Sequence, residues 1–190
     1  MSMKNKPIVN EKSSQKVAKF LEKNNLHKKD FAQMIGVTLS YVYNLIDETI
    51  PFSSRGTTLE RIATVMDIRP EEFIEYQIPQ DPPVYNENLE FLKDAIKHNN
   101  LSTVDFLKMF ERKKRLHLVD ILRGAKPLHI DFSELKSISD ALNLPDEELY
   151  ELWRRRMIEF LKEGGFNIEK NKKLIDSMFE GAKKYLKNEQ

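Results

Sequence analysis

The chain has 190 residues, of which 40% are hydrophobic and 32% charged, and its formal net charge is +1. This composition is typical of a globular protein and excludes a largely disordered chain. The balanced charge excludes a protein that holds nucleic acid through overall basicity. No apolar run approaches the roughly 18 residues of a membrane-spanning helix, and the absence of cysteine excludes disulfides and favours the cytoplasm.

Residues 1–14 are polar and lack the apolar core of a secretory signal. We expect them to form a flexible arm.

Residues 15–77 are predicted to form a first domain of five helices, because apolar residues recur at three- and four-residue spacing. Gly36 ends the second helix, since it tolerates positive φ. Thr38 caps the third helix. Thr57 and Glu60 have the spacing of a capping box that opens the fourth.

The chain contains an internal repeat. Residues 21–26 (LEKNNL) match residues 96–101 (IKHNNL) at an offset of 75, and the offset becomes 76 further on, where Pro51 matches Pro127. The second copy therefore has one extra residue, between positions 110 and 118. We expect two tandem copies of one all-α, five-helix plan.

The second copy is predicted to cover residues 89–152. Residues 78–88 separate the copies and contain three prolines, Pro79, Pro82 and Pro83. Proline cannot continue a helix, so this segment is predicted to be a semi-rigid linker that fixes the spacing of the domains.

Residues 153–190 are predicted to be a helical extension. One long helix ends at Gly164 and Gly165, and a second helix carries an apolar stripe. This stripe either packs back onto its own chain or forms a dimer interface. Its residues are Ile175, Met178, Phe179, Ala182, Tyr185 and Leu186.

The second and third helices of the first copy have the spacing of a helix-turn-helix. That motif needs a small residue where the helices touch, a glycine at the reversal and apolar anchors under the second helix. Ala32, Gly36, Val42 and Leu45 supply these positions.

The run FAQMIGVTLSYVYNLI (residues 31–46) and the helices TLERIATVMDIRPEEF (residues 58–73) resemble the five-helix domain of phage repressors and Cro proteins, the xenobiotic-response-element family of bacterial regulators. The resemblance implies double-stranded DNA as the partner, with the third helix in the major groove. The second copy is a divergent member. Carried over by position, the DNA-binding residues of the first copy are Lys28, Lys29, Thr38, Leu39, Ser40, Tyr41, Tyr43 and Asn44.

The second copy lacks the residues of the helix-turn-helix motif and carries more basic residues. Leu107 replaces the small residue and Glu111 stands in place of the glycine. The segment expected to hold its third helix, near Arg115, is strongly basic and suits phosphate contacts, whereas residues 26–50 are slightly negative. The predicted DNA-binding residues of this copy are Arg112, Lys113, Lys114, Arg115, His117, Arg123 and Lys126.

These features predict a sequence-specific DNA-binding regulator, a repressor, that uses the third helices of both domains in two successive major grooves. The alternative is a protein–protein adaptor or antitoxin-like partner built on helix-turn-helix scaffolds. No catalytic set can be named, so an enzyme is not expected. His27, His98, His117 and His129 lack metal-binding spacing, and neither a metal nor a cofactor is expected.

Overall fold

The computed structural model describes residues 12–78, 84, 86–128 and 131–188, and for residues 86–89 and 185–188 it describes the backbone alone. Within these residues the chain contains α-helices, one 3-10 helix and no strand, which confirms the all-α prediction. The first half comprises α1 (Ser13–Lys23), α2 (Lys28–Ile35), α3 (Leu39–Ile46), α4 (Gly56–Val65) and the 3-10 helix (Pro70–Glu72). The second half comprises α5 (Asn86–His98), α6 (Thr103–Lys108), α7 (Arg112–Leu122), α8 (Phe132–Leu142) and α9 (Asp146–Glu163), and it is followed by α10 (Lys172–Asn188).

One of the two predicted helix starts in the first half is confirmed. The backbone N–H of Tyr41 donates a hydrogen bond to the Thr38 side chain at 3.2 Å, so Thr38 caps α3. The predicted capping box at Thr57 is wrong, because α4 already begins at Gly56 after the extended residue Arg55.

The two halves share one hydrophobic core. A single cluster of buried side chains includes Phe31 and Phe73 from the first half and Phe106 and Leu135 from the second. Helix α7 packs against α2 and α4 as well as against α5 and α6. The halves therefore form one packed body.

Direct contact between the halves fixes their relative position. Asp67, just after α4, adopts a left-handed backbone with φ of 55°. Its carboxylate accepts hydrogen bonds from the Thr103 backbone N–H, at 3.0 Å, and from the Thr103 hydroxyl. It thereby satisfies a donor at the start of α6 that has no partner within the helix.

The start of α5 falls inside the predicted linker. Helix α5 begins at Asn86, inside the predicted 78–88 segment, while the three prolines lie outside the described residues.

Helices α9 and α10 form a second, smaller cluster. The Tyr150 hydroxyl on α9 donates a hydrogen bond to the Phe179 carbonyl on α10 at 2.7 Å. The Trp153 and Phe179 rings meet edge to face at 5.6 Å between centroids. Gly164 follows the last residue of α9, as predicted.

Candidate nucleic-acid interface

The turn between α2 and α3 has the geometry that a helix-turn-helix requires. Gly36 follows α2 with φ of 72°, a left-handed conformation that a residue without Cβ adopts at low cost. Ala32 is buried where the two helices meet, and its carbonyl accepts a hydrogen bond from the Val37 N–H at 2.9 Å. The small residue and the glycine therefore stand where the motif spacing predicted them.

Two buried anchors hold α3 on the bundle. Val42 and Leu45 are 0% and 1% exposed, and they lie three residues apart on one face of the helix. Residues Leu39, Ser40, Tyr43 and Asn44, predicted to face the groove, are all exposed. Helix α3 thus presents a continuous polar and aromatic face to solvent.

The remaining predicted residues of the first copy are placed less uniformly. Thr38 is exposed and caps α3. Tyr41 is half-buried and packs against the core, so it is less available to a base edge than predicted. Lys28 and Lys29 open α2, and the Lys28 ammonium lies 5.3 Å from the centroid of the Tyr43 ring, within the range of a cation–π contact.

The prediction that the third helix of the second copy projects freely is wrong. This helix is α7, which begins three residues before Arg115 and packs against α2 and α4. Its C-terminal half is buried at Leu118, Val119, Ile121 and Leu122. The physical reason is that these apolar side chains complete the shared core.

The sequence offset of 76 aligns exposed residues of α3 with buried residues of α7. At the offset of 76, Tyr43 corresponds to Val119 and Asn44 to Asp120. Tyr43 is 54% exposed, whereas Val119 is 0% exposed, and the Asp120 side chain is 3% exposed. The surface that α3 presents to solvent is therefore, in α7, the surface that docks on the first half.

Asp120 is the buried centre of an ion-pair network between the halves. Arg61 on α4 donates from Nε and Nη2 to the two Asp120 oxygens at 2.9 and 3.1 Å. Arg123 donates to Asp120 at 2.9 Å and to Glu60 on α4 at 2.7 Å. Burial raises the pKa of the Asp120 carboxyl, but hydrogen bonds and positive charge from Arg61 and Arg123 outweigh burial and hold this pKa below its usual value.

Six of the seven predicted DNA ligands of the second copy have an acidic partner within the chain. Arg123 is 16% exposed and belongs to the Asp120 network, which Lys126 joins with its ammonium 3.5 Å from an Asp120 oxygen. His117 lies 3.4 Å from a Glu134 oxygen on α8. Arg115 is 11% exposed and faces Asp30 on α2. Burial and these partners turn Arg115 and Arg123 away from solvent, and we do not assign DNA contacts to them.

The other three basic residues, Arg112, Lys113 and Lys114, lie in the first turn of α7 and are exposed. The sequence missed the acidic partners of this basic segment, Asp30 and Glu60. The sequence feature that could have indicated docking of α7 is the apolar Val119 next to the lone acid Asp120, because neither residue suits a DNA-facing surface.

The predicted interface on α10 divides into two faces. Ile175 and Phe179 are buried against α9, which supports packing onto the chain itself. Met178 and its neighbour Leu174 are exposed, at 60% and 56%. Ala182 is half-buried, and the side chains of Tyr185 and Leu186 lie outside the described residues.

Helices α2 and α3, with their buried anchors and exposed outer face, define a helix-turn-helix. Residues 16–79 match the family model of the Cro/C1-type HTH DNA-binding domain. The match runs from within α1 to beyond the 3-10 helix and covers about a third of the chain. No curated protein and no solved structure matches the chain. Residues 16–79 are thus similar to the Cro/C1-type DNA-binding domain, and this similarity supports a DNA-binding regulator.

None of the helices in the described part of the chain is long and apolar enough to cross a membrane.

Proposed function

We propose that this protein is a cytoplasmic regulator of the bacterial or phage type that binds specific DNA sequences by placing α3 in the major groove. The observation that carries this proposal is the exposed Asn44 on the face of α3 opposite its buried anchors. An asparagine amide can pair with N6 and N7 of adenine through two hydrogen bonds. Tyr43, one residue earlier and also exposed, is placed to contact a neighbouring thymine methyl or phosphate.

Phosphate contacts from α2 support the same orientation. Lys28 and Lys29 stand at the N-terminus of α2, where backbone N–H groups lack helical partners and the helix dipole favours an anion. Such contacts fix register without selecting sequence. We infer that Lys29, which is exposed, binds DNA backbone phosphates beside the major groove that α3 occupies.

We take the regulatory output to be repression, in which the occupied site is closed to other DNA-binding proteins. Self-association through α10 stays a prediction. The exposed residues Leu174 and Met178 would form this dimer contact, because Ile175 and Phe179 are already packed on α9.

Selection of bound duplexes from a random pool tests the proposal directly. The full chain should enrich one motif. On that motif Asn44→Ala should relax specificity at one or two base pairs and weaken binding by about 1–3 kcal/mol. Lys29→Ala should instead weaken binding to all duplexes alike, because a phosphate contact carries no sequence information. Enrichment of no motif by the wild-type chain would refute sequence-specific binding.

A protein–protein adaptor or antitoxin-like partner is the second candidate. It is favoured by the large exposed side chains Leu39 and Tyr43, 40% and 54% exposed, on a helix that carries no charged residue. Aromatic and uncharged surfaces are typical of protein interfaces. Retention on DNA-cellulose at low salt separates the two functions, since an adaptor of this kind passes through the column.

A further inference from the structure

The first turn of α7 lies beside the proposed recognition helix. Arg112 lines a shallow depression together with the start of α2 and the outer face of α3. The other residues of this depression are His27, Lys28, Lys29, Asp30, Leu39 and Tyr43. A residue of the second half therefore stands at the edge of the surface that the first half presents to DNA.

Asp30 holds α7 in this place. The Arg112 Nε lies 3.2 Å and the Arg115 Nη1 lies 3.5 Å from the same Asp30 oxygen. Arg115 also donates from Nε to the Phe110 carbonyl at 3.1 Å. Two guanidinium groups thus neutralise the one carboxylate in the first turn of α2, which would otherwise repel a phosphate next to Lys28 and Lys29.

The rest of the turn carries cations that point to solvent. Lys113 is 78% exposed and its ammonium lies 3.0 Å from a Glu111 oxygen, while Lys114 is exposed. Residues 112–115 carry four positive charges, and the acids beside them are Asp30 and Glu111. The net charge of this surface is therefore +2.

The net positive charge of this turn compensates for the lack of charged residues on α3. No residue of α3 is charged, and neutralisation of phosphates provides most of the sequence-independent affinity of a DNA-binding protein. Cations that share a depression with its exposed face are Lys28 and Lys29 from α2 and Arg112 from the first turn of α7.

We propose that Arg112, Lys113 and Lys114 bind backbone phosphates of the same DNA duplex whose major groove receives α3. The two halves then form one composite DNA-binding surface, in which the second half contributes charge and the first half contributes base contacts. The proposal rests on DNA binding by α3, and it replaces the expectation of two separate recognition helices per chain.

The test compares two full-length double variants that remove the same charge. Lys113→Gln with Lys114→Gln alters the composite surface. Lys172→Gln with Lys173→Gln alters two exposed lysines on α10 and serves as the control. Each protein is titrated at several salt concentrations with two probes, a duplex enriched by the wild-type chain and a random-sequence duplex of equal length. Unchanged thermal unfolding should show that both variants are folded.

The composite surface predicts that the α7 variant loses affinity by the same factor on both duplexes. The slope of log affinity against log salt should fall by roughly 0.9 for each lost phosphate contact, hence by about 1.8 in all, and the α10 control should keep the wild-type slope. Equal slopes in the two variants would overturn the composite surface and leave binding by α3 standing. A loss confined to the enriched duplex would also overturn it, because phosphate contacts do not distinguish sequences. Failure of the wild-type chain to bind either duplex would overturn both proposals.

Discussion

Arg61 on α4 and Asp120 on α7 are joined by two hydrogen bonds, at 2.9 and 3.1 Å. Arg61 lies inside the family match at residues 16–79, and Asp120 lies outside it. The Asp120 side chain is 3% exposed. Loss of its charge would leave Arg61 and Arg123 partly buried without their common acceptor. The stability of the whole chain should therefore depend on this residue of the second half.

Asp120→Asn should lower the free energy of unfolding by about 3 kcal/mol, because the loss of one charge of a buried ion pair leaves the opposite charges without a partner. Urea denaturation of the full chain measures this loss. Asp140→Asn is the matched control, since Asp140 is 67% exposed and lies 3.9 Å from Lys136, and exposed pairs contribute little. Indistinguishable midpoints for the two variants would contradict a stabilising role for the network.

The same network should give a defined pH dependence. The pKa of Asp120 in the folded chain is below the ordinary value of 3.8. Its ionisation therefore contributes stability that is fully present well above pH 3.8 and is lost as pH falls through the lower, folded-state pKa. The difference in unfolding free energy between wild type and Asp120→Asn should stay constant from about pH 7 to about pH 5 and shrink at more acid pH. A difference that already shrinks above pH 5 would assign the effect to another group.

Gly36→Ala should destabilise the protein for two separable reasons. The residue has φ of 72°, and a Cβ there would lie 2.9 Å from Leu116 Cδ1 on α7. The backbone strain alone costs about 1–2 kcal/mol. Gly56→Ala reports such strain without overlap, because it has φ of 51° and no atom within 4 Å of the added carbon.

Thermal unfolding should show a larger loss for Gly36→Ala than for Gly56→Ala. The excess should shrink when Leu116 is also changed to Ala, which leaves Arg61 Nη1 at 3.2 Å as the remaining close atom. If the excess persists unchanged in that background, Leu116 is not its source.

The two faces of α10 should respond differently to substitution. Phe179→Ala should destabilise the α9–α10 cluster by about 3 kcal/mol, as is usual for a buried aromatic residue. Met178→Ser with Leu174→Ser should leave the unfolding midpoint unchanged, because both residues are exposed, and should abolish self-association in light scattering. A wild-type chain that stays monomeric at high concentration would remove the predicted dimer.

The exposed and buried faces of α3 were predictable because their determinants are local. The spacing of Ala32, Gly36, Val42 and Leu45 fixes the turn and the buried side of α3 within one short stretch of chain. The exposed side then follows from helix periodicity.

The docking of α7 was not predictable from such local patterns, because it depends on pairs far apart in sequence. Arg61 and Asp120 are 59 residues apart, and Asp30 and Arg115 are 85 apart. A run of basic residues has the same appearance whether it faces DNA or acidic partners. The false capping box at Thr57 has a similar cause: a four-residue pattern cannot indicate that the helix starts one residue earlier.

Tyr43 and Asn44 on α3, and their counterparts Val119 and Asp120 on α7, place the two halves under opposite constraints. The outer side chains of α3 touch little of the chain, so they can be substituted at little cost to folding. Each substitution at the matching sites of α7 disturbs a fitted contact with the first half. Divergence of this chain should therefore concentrate on the exposed face of α3 and spare the docked face of α7.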